Sequence, residues 1–429
     1  MRNTPAKIWR GLALAALFTL PLAFGCGIRK RLPNNGALPK SVFGITIRGA
    51  NRAQETNQKS FLAAKVNRLQ VDGNGTAGNI AISPAPEGVD EIHIQATKSV
   101  SGDRPESELK TFLPQVNTTA TLQDDILIVR ASYDPNTFPP NTSAAVDYTI
   151  TVPRRLALSL RTNAGAIKVE GVTGGMTLHS DFGSVQMREV SGGIEADTSS
   201  GALSVTDSPQ ASPVRIRTDF GSIALKNVSG QIDARTSSGE ISVSQAPSAQ
   251  FIALHSEYGS ITLDDVGGGV EAASGSGAVT ITKARVKGTL TLHSDFGNVT
   301  ADQIQADGNA LQAKLTTSSG AVHFHGDATA LTLRSDFGEI TAEPSAKLPL
   351  ASADLHTSSG HIELTLPASV SAAIQAKTSS GHLSISAPNT HLSTSDGGAE
   401  TSQNVTLGDG KAPVNVSTDF GDITIQTAH

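Results

Sequence analysis

Two short runs of histidine, serine and aspartate are the part of this chain whose residue types could perform chemistry. They are His179-Ser180-Asp181 and His293-Ser294-Asp295. Serine, histidine and aspartate are the members of a hydrolase triad, in which the three side chains converge. Side chains on a strand point alternately to its two faces, so the serine would face the core while the histidine and aspartate face solvent. We therefore expect no catalytic residues and no enzymatic activity.

A second set of residues could bind a divalent metal ion. Glu339, His361 and His382 each directly follow the glycine of a repeated turn, which predicts one column on three consecutive coils. Neighbours would lie about 5 Å apart, His323 and His325 are close in sequence, and imidazole and carboxylate both bind zinc. The outer two would lie about 10 Å apart, which strains a shared ion, so surface histidines are the competing interpretation. We expect no metal and no cofactor.

The composition excludes several classes of function. The 429 residues include 33 Lys and Arg against 39 Asp and Glu, a net charge of −6, whereas a nucleic-acid-binding protein needs a basic face. With 13 Phe, 3 Tyr and 1 Trp, the chain has few aromatic platforms for bases or sugar rings. Its single cysteine excludes an intrachain disulfide.

The N-terminus has the layout of an export signal. Arg2, Lys7 and Arg10 precede the apolar run 11–25, which predicts a signal peptide over residues 1–25. Cys26 closes this run in Leu22-Ala23-Phe24-Gly25-Cys26, which resembles the lipobox of bacterial lipoproteins, where the cysteine carries the lipid. The alternative is simple signal cleavage at the small residues before Cys26.

Residues 26–60 are predicted to form the anchor cysteine and a polar tether. Within the tether, the basic run 29–31 could contact phospholipid headgroups. We expect an exported protein of the bacterial cell envelope, an outer-membrane lipoprotein that faces the periplasm or the exterior.

A Ser/Thr-x-x-Gly turn recurs from about residue 160 onward. Its glycines are Gly165, Gly183, Gly201, Gly221, Gly239, Gly259, Gly277, Gly297, Gly320, Gly338, Gly360, Gly381 and Gly421. Successive glycines are 18 to 23 residues apart, and a last gap of 40 leaves room for one degenerate copy around 394–397. Such regularity predicts stacked coils, an all-β single-stranded parallel β-helix, or solenoid.

Parity within the repeat predicts which side chains are buried. The residue two places after each glycine is aliphatic, as Ile241 is, and the alternation has the period of a strand. The Ser or Thr three places before the glycine would also face inward and bond to turn backbone, and the glycine would supply a tight corner of positive φ. The residue before the glycine would point inward too, so that Phe220 of an Asp-Phe-Gly turn lies over Ser238 of the next Ser-Ser-Gly turn.

Several segments resemble the bacterial "putative adhesin" β-strand-repeat family, a domain of unknown function. They are Val66-Asn67-Arg68-Leu69-Gln70-Val71, Gly78-Asn79-Ile80-Ala81-Ile82, Val146-Asp147-Tyr148-Thr149-Ile150-Thr151-Val152-Pro153, the repeats themselves, Leu407-Gly408-Asp409-Gly410 and Asp419-Phe420-Gly421-Asp422-Ile423-Thr424-Ile425. The resemblance implies an exported or surface β-helix without established catalytic residues. We predict that residues 61–160 begin the solenoid, with a loop or short helix at 105–114, and that residues 161–429 form its repeats.

A mostly basic column is predicted four places before the glycine, facing solvent. It contains Arg161, His179, Arg217, Arg235, His255, His293, Arg334, His356 and Lys377. Acidic residues two places before the glycine run beside this column on every second coil, roughly 9.6 Å apart, too far to share a proton or a metal ion. Pairing of the two columns on a solvated face is one interpretation. The other is a face that binds an acidic polysaccharide or a lipid headgroup.

Three functions remain open from the sequence. The leading hypothesis is a non-enzymatic, envelope-anchored solenoid, an adhesin or structural protein that recognises a glycan or another envelope protein. The alternative is a polysaccharide lyase or hydrolase, whose site would lie in the irregular regions 100–145 or 386–412. A threonine array that binds ice or another surface is disfavoured because the regular Ser/Thr column faces inward. A propeller of 38-residue units is the alternative architecture.

Overall fold

The computed structural model describes residues 41–42, 45–46, 51–73, 76–387, 390–394 and 401–428. Residues 1–49 and 50–429 form two separate units. In the first unit, β1 (Ser41–Val42) pairs antiparallel with β2 (Ile45–Thr46). The predicted signal peptide and Cys26 lie outside the described residues.

The second unit begins with seven strands and a short helical insertion. The strands are β3 (Asn51–Leu62), β4 (Arg68–Gly73), β5 (Ile80–Pro84), β6 (Glu91–Gly102), β7 (Asn117–Gln123), β8 (Ile126–Ser132) and β9 (Thr142–Val152). Helix α1 (Glu106–Leu109) continues into a 3₁₀ helix (Lys110–Gln115), and shorter 3₁₀ turns lie at Ala63–Lys65 and Pro135–Thr137. The helical insertion predicted at 105–114 is confirmed.

The repeat region consists of strands joined by tight corners. The strands are β10 (Ala157–Thr162), β11 (Ile167–Glu170), β12 (Met176–Ser180), β13 (Val185–Arg188), β14 (Ser191–Thr198), β15 (Leu203–Ser208), β16 (Gln210–Thr218), β17 (Ile223–Val228), β18 (Gly230–Thr236), β19 (Ile241–Ala246), β20 (Ala249–Ser256), β21 (Ile261–Ser274), β22 (Val279–Thr282), β23 (Arg285–Ser294), β24 (Val299–Thr317), β25 (Val322–Gly326), β26 (Ala330–Ser335), β27 (Ile340–Pro344), β28 (Ser352–Ser359), β29 (Ile362–Leu366), β30 (Ala372–Ser380), β31 (Leu383–Ala387), β32 (Thr390–Thr394), β33 (Thr401–Leu407), β34 (Ala412–Phe420) and β35 (Ile423–Thr427).

Each coil contributes one strand to each of two parallel sheets. The front sheet contains β10, β12 and their in-register successors, and the back sheet contains β11, β13 and theirs. Strands β21 and β24 run from the back sheet into the front sheet without interruption. The predicted parallel β-solenoid is therefore confirmed, and the propeller alternative is wrong.

The core fills the space between the two sheets with aliphatic side chains stacked in register. In one stack Ile223, Ile241 and Ile261 are adjacent on consecutive coils, and all three are buried. These are the positions two after the glycine, as the parity predicted. A strand this short cannot bury a face alone, so each coil is stabilised by its neighbours.

The coils at both ends of the solenoid are stacked out of chain order. At the N-terminal end, β4 and β5 lie between the coil of β8 and β9 and the coil of β10 and β11. At the C-terminal end, the last coil, β34 and β35, lies between the coil of β28 and β29 and the coil of β30 and β31. The coil of β4 and β5 and the coil of β34 and β35 are thus each paired on both sides.

Antiparallel strands cover both ends of the sheets. Strand β7 pairs with β8 and β33 with β30 on the front sheet, while β6 and β32 pair with β9 and β31 on the back sheet. Strand β3 pairs antiparallel with β6. An open parallel edge would present unpaired N–H and C=O groups to other chains, and these strands occupy it.

One predicted boundary is wrong because of these end strands. Residues 51–60, assigned to the tether from their polar composition, form most of β3, which hydrogen-bonds to β6. The degenerate copy predicted around 394–397 lies outside the described residues except for Thr394, the last residue of β32, which runs antiparallel to β31. Residues 395–400 lie outside the described part.

Close approach between coils explains the repeated glycines, of which only Gly381 and Gly421 have positive φ. A Cβ built on Gly239 would lie 1.7 Å from the carbonyl oxygen of Gly221, and one on Gly183 would lie 1.8 Å from that of Gly165. Neither Gly239 nor Gly183 has positive φ, so the prediction of a left-handed corner is wrong at both. Positive φ occurs instead at the opposite corner, for example at Asn227.

Candidate ligand-binding corner and front face

A continuous ladder of buried hydroxyls holds the corner that joins each front strand to its back strand. Thr236 Oγ1 donates a hydrogen bond to the carbonyl oxygen of Gly221 on the preceding coil and accepts one from the backbone N–H of Gly239, both at 3.0 Å. The corresponding Ser or Thr of all thirteen repeats donates to a glycine carbonyl of the neighbouring coil. The predicted inward hydroxyl ladder is confirmed, and its burial removes the basis for a surface threonine array.

The same ladder excludes the triad interpretation of the His-Ser-Asp runs. Ser180 is fully buried, and its Oγ is committed to the carbonyl of Gly165 and the N–H of Gly183. The histidine next to it faces outward, where its ring bonds to Asp181 and Asp197. A nucleophile and its base would have to be in contact, and here they lie on opposite faces of one strand.

The aromatic side chains of the Asp-Phe-Gly turns point outward, against the prediction. Around Phe220, Thr218 and Gly221 are buried while Asp219 and Phe220 are not. Alternation therefore slips by one residue at the corner, and the inward place predicted for Phe220 is taken by Gly221. The slip follows from the hydroxyl ladder, because the bond from the glycine N–H to the Ser/Thr side chain bends the chain within three residues.

Six exposed rings form what we call the aromatic ladder. Its members are Phe182, Phe220, Tyr258, Phe296, Phe337 and Phe420. Each is 67 to 70% exposed, and together they are six of the ten exposed large hydrophobic residues in the described part of the chain. Smaller residues alternate with them, and the out-of-order last coil keeps the pattern, because Phe420 lies between Ser359 and Ser380. Rings on every second coil are roughly 9.6 Å apart.

Backbone pairing fixes the position of each ring. The N–H of Phe220 donates to the carbonyl of Ser199 at 3.0 Å, and the carbonyl of Asp219 accepts from Ser238 on the next coil at 3.0 Å. The same bonds recur at Phe182, Phe296 and Phe337. The corner is therefore part of the continuous inter-coil hydrogen-bond network, and the rings project from a rigid scaffold.

The predicted basic column lies in register on the outer face of the front sheet. Pairing aligns Arg161 with His179, Arg217 with Arg235, and Arg334 with His356. Most members contact acidic neighbours: His179 contacts Asp181 and Asp197, Arg217 contacts Asp219, Arg235 contacts Asp233, His293 contacts Asp295, and Arg334 contacts Asp354. Within the described residues Arg161 and His255 make no ion pair. In the stacking order Ser417 separates His356 from Lys377.

The outer surface of the front sheet is shallowly concave near its N-terminal end. A depression of about 410 Å³ is lined by Arg68, Ser159, Thr177, Glu195 and Arg215, among others. Smaller depressions of about 200 and 220 Å³ continue across the next coils. Charges of both signs line this surface, which suits polar contacts along a chain better than enclosure of a small molecule.

The predicted metal column is interrupted. Because the last coil is inserted, Asp422 lies between His361 and His382, so Glu339, His361 and His382 do not occupy three consecutive coils. Asp422 Oδ1 accepts a hydrogen bond from the backbone N–H of His382 at 2.7 Å. Among the described residues no group of three or more His, Cys, Asp or Glu is placed to bind a metal ion.

The irregular regions proposed for an enzyme site are structural in the described part. Residues 100–145 include α1, a 3₁₀ helix and the β7–β8 hairpin. Leu109 and Leu113 of the helical insertion, and Val116 directly after it, are buried in the core. Residues 386–412 include β32 and β33, which pair with β31 and β30 of the outermost coil. Among the described helices, none has the length and apolar character needed to span a bilayer.

The solved structures that show some likeness to this chain are distant from it. No curated protein matches the chain. Solved structures with some likeness include a "putative cell adhesion protein" from Clostridium sporogenes (9% identity, 87% of this chain and 100% of that one, TM-score 0.17) and a "putative adhesin" from Bacteroides fragilis (14%, 87% and 97%, 0.22). Another is a "putative lipid binding protein" from Parabacteroides distasonis (11%, 88% and 97%, 0.17). These scores carry no functional argument.

A family model gives the assignment. The Toastrack DUF4097 model matches residues 90–267 and again residues 266–426, which together take in most of the solenoid. The two matches meet within β21, where one strand passes from the back sheet to the front sheet. With its stacked parallel coils and repeated glycine corners, the chain belongs to the Toastrack DUF4097 family.

Proposed function

We propose that this protein is a non-enzymatic recognition protein of the bacterial cell envelope, an adhesin that binds an extended partner along its front sheet and the adjoining corner. The observation that carries the proposal is the repetition of outward side chains in register, coil after coil, including the basic column and the aromatic ladder. An elongated array of equivalent positions suits a long glycan or an extended segment of another envelope protein, because many weak contacts act together.

Chemistry at a single catalytic point has less support. Catalysis needs a few side chains that converge on one reacting atom, whereas the outward groups here are repeated along the solenoid. The serines that a hydrolase would need are buried and hydrogen-bonded. No observation favours a lyase or hydrolase specifically.

Attachment to the outer membrane through a lipid on Cys26 completes the proposal. The supporting observation is the apolar run 11–25 followed by the single cysteine of the chain. Radiolabelled palmitate fed to expressing cells should enter the protein, and Cys26→Ser should abolish the label. Equal labelling of both forms would contradict lipid attachment at this residue.

Binding to a broad array of glycans and envelope polymers tests the recognition function. We expect saturable binding by the purified chain, unchanged by chelator and without depolymerised products. Cleavage of a bound polymer would contradict the non-enzymatic assignment. Absence of binding to every glycan and envelope protein tested would contradict recognition itself and leave a purely structural role.

A further inference from the structure

The aromatic ladder is the feature whose chemistry points to a particular ligand. We propose that it binds an uncharged, extended β-1,4-linked polysaccharide, with one sugar ring of every two against each aromatic side chain. This inference rests on the proposed recognition function and names both its site and its ligand class. The basic column is then the charged border of the site and not its centre.

Periodicity selects a polymer. The six rings recur at every second coil, with similar exposure at each, so a ligand that uses all of them must repeat at the same interval. In an extended β-1,4-linked glycan each ring is turned over relative to the last, so the same face recurs at every second ring. The rise of one coil, roughly 4.8 Å, is close to the advance of one sugar ring along such a chain. Two coils therefore match two sugar rings.

Charge selects an uncharged polymer. Each aromatic residue follows an acidic one, as Asp219 precedes Phe220. Of the six acidic residues, Asp181, Asp219 and Asp295 contact a basic side chain. The other three, Glu257, Asp336 and Asp419, make no ion pair within the described residues, so the row keeps unpaired carboxylates. A row of carboxylates repels polyanions such as acidic polysaccharides and anionic lipid headgroups. The same carboxylates accept hydrogen bonds from sugar hydroxyls, and charge-assisted bonds of this kind are strong.

Rigidity favours the site energetically. The rings project from a corner whose backbone groups are already paired between coils, so little main-chain ordering remains to be done on binding. The small residues of intervening coils, such as Ser238 and Ser276, leave a gap beside each ring at the same corner. A flat sugar ring has space to approach each aromatic side chain from this gap.

The test compares two triple variants of the full chain. Phe220→Ser, Tyr258→Ser and Phe296→Ser together remove the centre of the ladder, and Ser238→Ala, Ser276→Ala and Ser319→Ala change the same corner on intervening coils. Binding to soluble glucomannan, with dextran as the α-linked control polymer, is measured by biolayer interferometry. We expect the ladder variant to bind glucomannan at least roughly 100-fold more weakly, and the serine variant to bind like the wild type.

Three results would overturn the inference. The first is that the ladder variant and the wild type bind glucomannan equally, while a triple variant of the basic column, Arg217→Ser, Arg235→Ser and Arg334→Ser, loses binding. This result would move the site to the basic column and leave the recognition function intact. The second is equal binding to dextran. The third is that the wild type does not bind glucomannan and sediments as a dimer, whereas the ladder variant sediments as a monomer. The ladder would then bind a second copy of the chain and not a polysaccharide. Circular dichroism and thermal unfolding verify that all three variants are folded.

Discussion

Each residue of the Ser/Thr-x-x-Gly corner has a distinct physical role. The hydroxyl of Thr236 is buried and pairs with two backbone groups, while Gly239 leaves space for the carbonyl of the neighbouring coil. The residue directly before the glycine points outward, as Tyr258 does on the next coil. Only the glycine and the hydroxyl are required by the fold, so the exposed residue is available for function.

Replacement of a corner glycine tests the steric role. Gly239→Ala should strongly destabilise the solenoid, by about 3 kcal/mol or more, because its Cβ would lie 1.7 Å from a backbone oxygen that cannot move without breaking the stack. Gly193→Ala is the matched control, since its Cβ would meet nothing closer than 3.7 Å. Urea unfolding of both variants measures the difference. Equal stability of the two would show that the coils separate easily.

The aliphatic core and the hydroxyl ladder are predictable from the sequence because both follow a simple period of two. The orientation of Phe182 and its equivalents is not, since the period slips by one residue and the sequence does not mark where. Alternation counted forward from the buried Ser180 places Phe182 inward, whereas alternation counted back from the buried Val185 places Gly183 inward and Phe182 outward, as the structure has them. The alternation of large rings with serines was visible, but it suits a packed core as well as an exposed ladder.

Among the connecting elements, one buried carboxylate joins three segments. Asp327, between β25 and β26, accepts hydrogen bonds from the N–H of Ala306 in β24, from Ser345 Oγ and from Lys347 Nζ. Burial raises the pKa of Asp327, but these hydrogen bonds and the charge of Lys347 outweigh burial and hold the pKa below its usual value. The charged form therefore stabilises the fold.

Acid titration tests this contribution. Because the pKa of Asp327 is lower in the folded than in the unfolded chain, its stabilisation is complete above about pH 4 and is lost as the pH falls through the folded-state pKa. At neutral pH, Asp327→Asn should unfold about 1.5 to 3 kcal/mol more easily than the wild type. The difference should shrink in acid. Urea unfolding at pH 7 and in acid measures it, and a difference independent of pH would contradict the assignment.

The out-of-order last coil makes a separate prediction at the level of strands. Deletion of residues 412–429 removes β34 and β35, the parallel partners of β30 and β31. Amide hydrogen exchange should then become fast in residues 372–387 and stay slow in β16 and β17, because each coil is stabilised mainly by its neighbours. Retained protection in residues 372–387 would mean that β30 re-pairs directly with β28.

The sequence predicted the existence of coils but not their order at the ends. Local periodicity identifies a strand and its buried face, and it is the same whether the strand pairs with its predecessor or with a later segment. The insertion of Asp422 between His361 and His382, which interrupts the predicted metal column, depends on such non-local pairing. The polar strand β3 was missed because an end strand need not bury an aliphatic face.

At the scale of the whole solenoid, repetition converts weak local contacts into a specific surface. A single exposed phenylalanine on a protein is ordinary, whereas six at one corner, each on a second coil, form a continuous array. The terminal coil, inserted out of chain order, extends this array by one ring, Phe420. The stacking order of the coils therefore determines the length of the ladder.

Dependence of affinity on ligand length tests this view most directly. Isothermal titration of the full chain with β-1,4-linked gluco- or manno-oligosaccharides of increasing length measures it. We expect affinity to rise with each two sugar rings added, because each addition reaches one more aromatic residue, and to level off once the oligosaccharide covers the ladder from Phe182 to Phe420. Affinity that reaches its full value with a disaccharide would contradict the account, since it would indicate a single local site.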